Sequence, residues 1–231
     1  MSVPEDTGPA PHPTALRMQI LTTEHWSLLS SRSLAWNEAF ARVGMYLTAL
    51  TGAMVALGLV AGLNAGDDTL STAALVILPI VLFIGITTVL RLGATNYHDA
   101  TAVVGMNRIR AAYVELAPEL RPIFVMGVTD DAAGVARTMA VPPGLPGLVH
   151  LLAAAPFLVN VLNGVVAAAI VALGVARLGA PALLAAIAGL LAAISVVTVQ
   201  LRLVSAAIRR GRATLNPMFP SSPPDPPGVA V

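Results

Sequence analysis

Four long apolar runs organise the chain: Val43 to Leu63, Leu70 to Leu90, Leu148 to Ala176 and Pro181 to Leu201, none of which contains Asp, Glu, Lys or Arg. A helix needs about 20 apolar residues to cross a hydrocarbon core about 30 Å thick, because each residue rises about 1.5 Å. Each run therefore predicts a transmembrane helix that enters lipid without the penalty of a central charge. The short turns NAGDDT and RLGA join the runs as two hairpins. The expected fold class is an all-α membrane protein with four transmembrane helices as two hairpins, and with cytoplasmic helical extensions of the first and second spans.

Those extensions follow from periodicity. From Thr14 to Arg42 there is neither Pro nor Gly, and Met18, Leu21, His25, Leu28, Arg32, Ala35 and Ala39 repeat at three and four, which places them on one helical face. Trp36 stands where an interfacial anchor is expected, and Glu38 precedes Arg42 by one helical turn, a supportive orientation. Beyond Leu90 the second helix is expected to continue to about Ala117, with Thr95, Asp99, Ala102, Met106, Ile109, Tyr113 and Leu116 on one face and Pro118 as the stop. Two such faces are poorly buried alone, so an antiparallel pair is expected. The segments read as 1–13 disordered, 14–117 first hairpin with its helices, 118–146 a Pro-rich connection, 147–213 second hairpin with a basic end, and 214–231 a disordered or extended Pro-rich tail. Within the connection, Thr129 followed by Asp130 and Asp131 reads as the start of a brief helix capped by the threonine hydroxyl.

Composition agrees with a lipid environment: 56% of residues are hydrophobic and 11% charged, with a mean hydropathy of +0.80. All 13 basic residues are Arg, which together with abundant Ala, Gly, Val and Pro suggests a GC-rich bacterial genome and hence the bacterial cytoplasmic (inner) membrane. Twelve of the arginines flank one side of the spans and only Arg177 the other. Since cytoplasmic loops retain positive charge, both termini are expected inside. The acidic, proline-rich start does not read as a cleavable signal. A net charge of +1 argues against a nucleic-acid partner, and the absence of Cys excludes disulfides and thiolate chemistry.

Candidate chemistry is sparse. Asn160, Asn163, Ser195 and Gln200 are the intramembrane polar residues singled out, with Asn160 expected near Gln200 and Asn163 near Ser195 when the second hairpin folds about Leu178 and Gly179. Gly58 with Gly62, and Ala185, Gly189 and Ala193, form small-residue rows suited to close helix contact. Pro79 and Pro156 are candidate kinks. His150 reads as an interfacial histidine, His98 beside Asp99 lacks helical metal-ligand spacing, and Glu115 with Glu119 reads as solvated. Arg108 and Arg110 are accounted for by the positive-inside bias. No phosphate loop, dinucleotide fingerprint, zinc pattern or serine elbow is present, so no catalytic, cofactor-binding or metal residue is assigned. Arg32 and Asp99 occupy otherwise apolar seam positions at nearly equal distance from the membrane boundary, the offset being about 3 Å of helical rise. An Arg32–Asp99 ion pair is therefore expected to fix the register of the two helices, with His25 a pH-sensitive contact on the same seam. The expected partners are the lipid bilayer, a second copy, or another membrane protein.

The strings LTTEHWSLLSSRSLAWNEAFAR and GMNRIRAAYVELAPELRP resemble segments of an uncharacterised family of bacterial four-span inner-membrane proteins, over roughly Leu21 to Asp131 and most specifically at Glu24 to Glu38 and Asn107 to Leu120. The resemblance implies the four-span architecture and brings no activity. The helix, two-span hairpin and helical extension also look like the small two-span effector modules of bacterial defence systems, from which the second hairpin departs. The leading expectation is a non-enzymatic scaffold, regulatory or self-assembling component acting through its cytoplasmic helices. The alternative is a small oligomeric channel or transport component with a path near Asn160 and Asn163, and an enzyme ranks third.

Overall fold

The computed structural model describes residues 13–63, 66–139, 155–213 and 216–221. The expected start of the third span at Leu148, His150, the prolines at 142, 143 and 146, most of the first segment and the end of the tail lie outside the described residues. Among those described, every regular element is helical: α1 (Pro13–Gly62), α2 (Asp67–Leu116), a 3-10 helix (Pro118–Ile123), α3 (Ala132–Thr138), α4 (Ala155–Arg177) and α5 (Ala182–Ala213). The helices α1, α2, α4 and α5 are long and apolar enough to cross a membrane.

Local chemistry explains the boundaries. Asp67 and Asp68 lie in the first turn of α2, where negative charge complements the helix dipole. Its end is set by Pro118, because the residue before a proline is driven from the helical region, and Ala117 accordingly has φ −145°. Gly66 and Gly179 take positive φ of 83° and 82° at the two sharp turns, a region that costs glycine little. Helix α3 departs from expectation in its cap. Asp131, not Thr129, is the N-cap: its carboxylate accepts the Gly134 N–H at 2.9 Å, while the Thr129 hydroxyl donates to Asp131 at 3.1 Å. Thr129 sits too early to reach the first turn and supports the ionised cap instead.

The chain divides into two compact units. The clasp unit comprises the described residues within Met1–Leu34, Ala100–Val141 and Pro217–Val231. In it, Leu28 packs against Gly105, and Thr22 approaches Tyr113 with 3.4 Å between hydroxyls. The span unit comprises the described residues within Ala35–Asp99 and Pro142–Asn216. In it Trp36 meets Asp99, Glu38 meets Arg91 and Tyr46 lies against Gly85. Within each unit the contact order of α1 and α2 is antiparallel. The expected α2 seam is buried at Thr95, Asp99, Ala102, Met106 and Ile109. On α1, Ala39 is buried and Met18 is not.

In the span unit α4 and α5 approach closely at glycines. A Cβ on Gly164 would lie 2.8 Å from the Val197 side chain, and one on Gly189 2.8 Å from the Ala168 carbonyl, so the Ala185–Gly189–Ala193 row is a true contact. Gly58 and Gly62 face nothing within 4 Å among the described residues. Outward positions of these helices carry bare apolar side chains, such as Phe83 at 68% exposure and Leu183 at 71%, in keeping with lipid around them.

Candidate functional site

The polar chemistry of the clasp unit starts from one asparagine. Asn107, fully buried on α2, donates through Nδ2 to the Thr129 carbonyl at 2.8 Å. Its Oδ1 accepts from the Thr138 hydroxyl at 2.7 Å and from Arg110 Nη1 at 2.8 Å. The Thr138 hydroxyl in turn accepts the Gly127 N–H at 3.0 Å. One satisfied side chain thus fixes both the segment 127–129 and the end of α3, as a fully bonded buried network can. Gly134 makes the approach possible, since a Cβ there would lie 1.9 Å from the Thr129 carbonyl oxygen.

This scaffold holds two carboxylates against the tail. Asp130, whose side chain is sealed from solvent, accepts from Arg108 Nε at 2.8 Å and from the backbone N–H groups of Met218 and Phe219, each at 2.8 Å. Its own N–H donates to the Phe219 carbonyl at 3.2 Å. Asp131 uses one oxygen to cap α3 and the other to accept the Ser221 N–H at 2.8 Å and the Ser221 hydroxyl. The tail, expected to be disordered or extended, bends at Met218 and Phe219 and is held in place over Met218–Ser221. Beside it lies a cavity of about 750 Å³ whose lining includes Glu115, Arg121, Phe124, Met126, Arg137 and Phe219.

Burial pushes the Asp130 carboxyl up, but the Met218 N–H, the Arg108 guanidinium and the Phe219 N–H together hold it below the ordinary range. The Ser221 hydroxyl, followed by the Gly134 N–H, holds Asp131 at about 2. Folded-state values below the unfolded one mean that the stabilisation is complete above about pH 4 and is lost as pH falls through the folded value. A fluorophore on the exposed Met218 position should therefore report a docked tail from neutrality down to about pH 4 and release below it. Release beginning near neutrality would contradict the assignment.

The span unit holds a second polar cluster. Asn160 and Asn163 are 1% and 0% exposed and both face α5, but the pairing differs from expectation. Asn163 Nδ2 donates to Gln200 Oε1 at 3.2 Å, and Asn160 Nδ2 to the Val197 carbonyl at 3.1 Å. Helical side chains lean toward their own N-terminus, so Gln200 reaches back along α5 to Asn163 rather than across to Asn160. Ser195 is exposed, because the contact row through Ala185, Gly189 and Ala193 leaves it on another face. The Tyr46 hydroxyl, Asn160 Oδ1, Asn163 Oδ1 and Gln200 Nε2 are buried without a hydrogen-bond partner. Asn163 and the Tyr46 ring both press on Gly85, where a Cβ would lie 1.8 Å from Asn163 Oδ1 and 2.7 Å from Tyr46 Cε2.

The remaining sequence candidates are distributed between the units. Arg32 belongs to the clasp unit and Asp99 to the span unit, where Asp99 is buried and accepts from Trp36 Nε1 at 2.9 Å. Trp36, read as an interfacial anchor, is thus also a hydrogen-bond donor, with its ring stacked on Phe40 at 5.5 Å. His25 is part-buried on α1 with Nδ1 unpartnered. Burial, then the Arg110 charge, lowers its pKa, which favours the neutral imidazole. Glu38 accepts from both Arg42 and Arg91, each Nε at 3.1 Å, so two boundary arginines share one carboxylate. Sequence reasoning missed Asn107, Arg108, Thr138 and Ser221 as a connected set. The signal present was the dense polar content at Asn107 to Arg110, with the adjacent acids at 130 and 131.

Among the described residues, no group of three or more His, Asp or Glu is placed to hold a metal ion. The class defined by these features is an all-helical protein with four helices long and apolar enough to cross a membrane, carrying a polar unit that grips its own tail. No known protein family, curated protein or solved structure matches the chain.

Proposed function

We propose that this is a non-enzymatic multi-pass protein of the bacterial inner membrane, a scaffold or regulatory component that acts and self-assembles through a cytoplasmic clasp unit. The observation that carries this reading is the Asp130–Asp131 clasp on Met218–Ser221: two carboxylates are committed to backbone N–H groups of the tail. In this reading the spans form two hairpins with both termini inside, as the one-sided arginines favour. The chain would then belong with the bacterial four-span proteins it resembles from Leu21 to Asp131. The Arg32–Asp99 register pair remains part of the same proposal.

A reporter fused after Val231 should read cytoplasm and one inserted at Gly66 the outside. A cytoplasmic Gly66 would put the clasp on the wrong side and overturn the reading. The channel alternative draws support from the unpartnered amide atoms at Asn160, Asn163 and Gln200. Labelling of an Asn163→Cys variant by a water-soluble thiol reagent would favour it over the scaffold.

A further inference from the structure

We propose that the clasp is a peptide-binding site used between copies, the Asp130–Asp131 pair of one chain taking the Met218–Ser221 segment of a second. This deepens the reading above and rests on it.

Recognition is confined to a few tail residues. The carboxylates read the N–H groups of Met218, Phe219 and Ser221 and the Ser221 hydroxyl, and the Asp130 N–H reads the Phe219 carbonyl. The Met218 side chain is 66% exposed and is not read, whereas Phe219 is part-buried and lines the cavity with Phe124 and Met126. The ligand class is therefore a short peptide, bent at its aromatic residue, with an aromatic residue, a proline and a hydroxyl residue in succession. Pro217 and Pro220 restrict the segment's backbone in advance, so less chain entropy is lost on docking.

These features make the segment portable. A neighbour's tail forms the same bonds as the chain's own, so exchange leaves the contact energy almost unchanged, which is the condition under which identical elements swap between protomers. Among possible partners, a second copy is singled out because every copy carries both the clasp and the sequence that fits it. Confinement to one membrane raises the encounter rate of the two halves. Because clasp and tail are different surfaces, the contact is heterologous, and each copy can give its tail to one neighbour while receiving another's.

The test uses full chains in one membrane. One copy carries Asp130→Ala and Asp131→Ala with a photo-crosslinking residue at the exposed position 218. The other keeps its clasp but carries Phe219→Ala and Ser221→Ala. A cross-linked product joining the two copies is expected, with the link mapping to residues 127–134 of the second, and it should be lost when that copy also carries Asp130→Ala. A synthetic peptide of Asn216–Ser221 should bind the second copy, and the same peptide with Phe219→Ala should not. Failure of both mixed cross-link and peptide binding, while the photoprobe in an otherwise unaltered chain links to its own 127–134, would overturn exchange between copies and leave the clasp reading intact. No link to those residues in any copy would overturn both.

Discussion

Gly85→Ala is expected to destabilise the span unit by about 2–3 kcal/mol, although alanine is the better helix former by up to about 1 kcal/mol. The added Cβ would lie 1.8 Å from Asn163 Oδ1, and the Tyr46 ring 2.7 Å away limits evasion on the other side. Asn163 must swing aside, which breaks its 3.2 Å bond to Gln200. That bond contributes about 0.6 kcal/mol on the average for such pairs in membranes, so strain is the larger part of the loss. Thermal unfolding in detergent should show the drop, and Gly58→Ala, whose Cβ meets nothing within 4 Å, should be neutral or slightly stabilising. Combining Gly85→Ala with Asn163→Ala should recover part of the stability by vacating the space. A Gly85→Ala protein as stable as the parent would show that the α2–α4 approach is looser than described.

Asp130→Ala is expected to cost the clasp unit about 3–4 kcal/mol, since hydrogen bonds to charged groups contribute about 1.5–3 kcal/mol each. The substitution deletes the acceptor of the Met218 and Phe219 N–H groups and the Arg108 ion pair together, in a site closed to solvent. Such losses share one partner and are not additive, which is why the figure stays near that of a single broken buried pair. Hydrogen exchange should show loss of protection at 217–221 and at 127–138, with α4 and α5 unchanged. Asp131→Asn should be milder, because the remaining amide oxygen can still accept. Unaltered protection of the Phe219 amide in Asp130→Ala would place the tail's hold elsewhere.

The long helices were legible because the signals that define them are local and repeated. Uncharged runs of span length, the seam from Thr95 to Ile109 and the stop at Pro118 all emerge from residue spacing alone. The pairings were harder. Asn160 and Asn163 were correctly turned toward α5, but their partners depend on how side chains lean along the helix, which a fold-about-the-midpoint estimate omits. Ser195 departs from expectation for a different reason, since it lies off the helical face that Ala185, Gly189 and Ala193 turn toward α4. The clasp was not legible, because it joins residues near 107, 130 and 219, and nothing in any one stretch names the other two. Proline richness argued for a tail without contacts. What holds it is backbone N–H groups, to which side-chain composition is blind, gripped by acids read only as a helix start.

The clasp unit is assembled from three stretches separated by both pairs of long apolar helices, and the last of them carries Met218–Ser221. Domains fold as their residues leave the ribosome, early segments first, and distant contacts form late. While the Met218–Ser221 stretch is still unmade, Asp130 and Asp131 lack the tail N–H groups that donate to them in the finished clasp. Completion of the clasp therefore waits until Ser221 has been made, well after α3. A chain broken off between α3 and Met218 would keep the Arg108 and α3 contacts of these two carboxylates but lack their tail partners, a chemical mark that the clasped chain conceals.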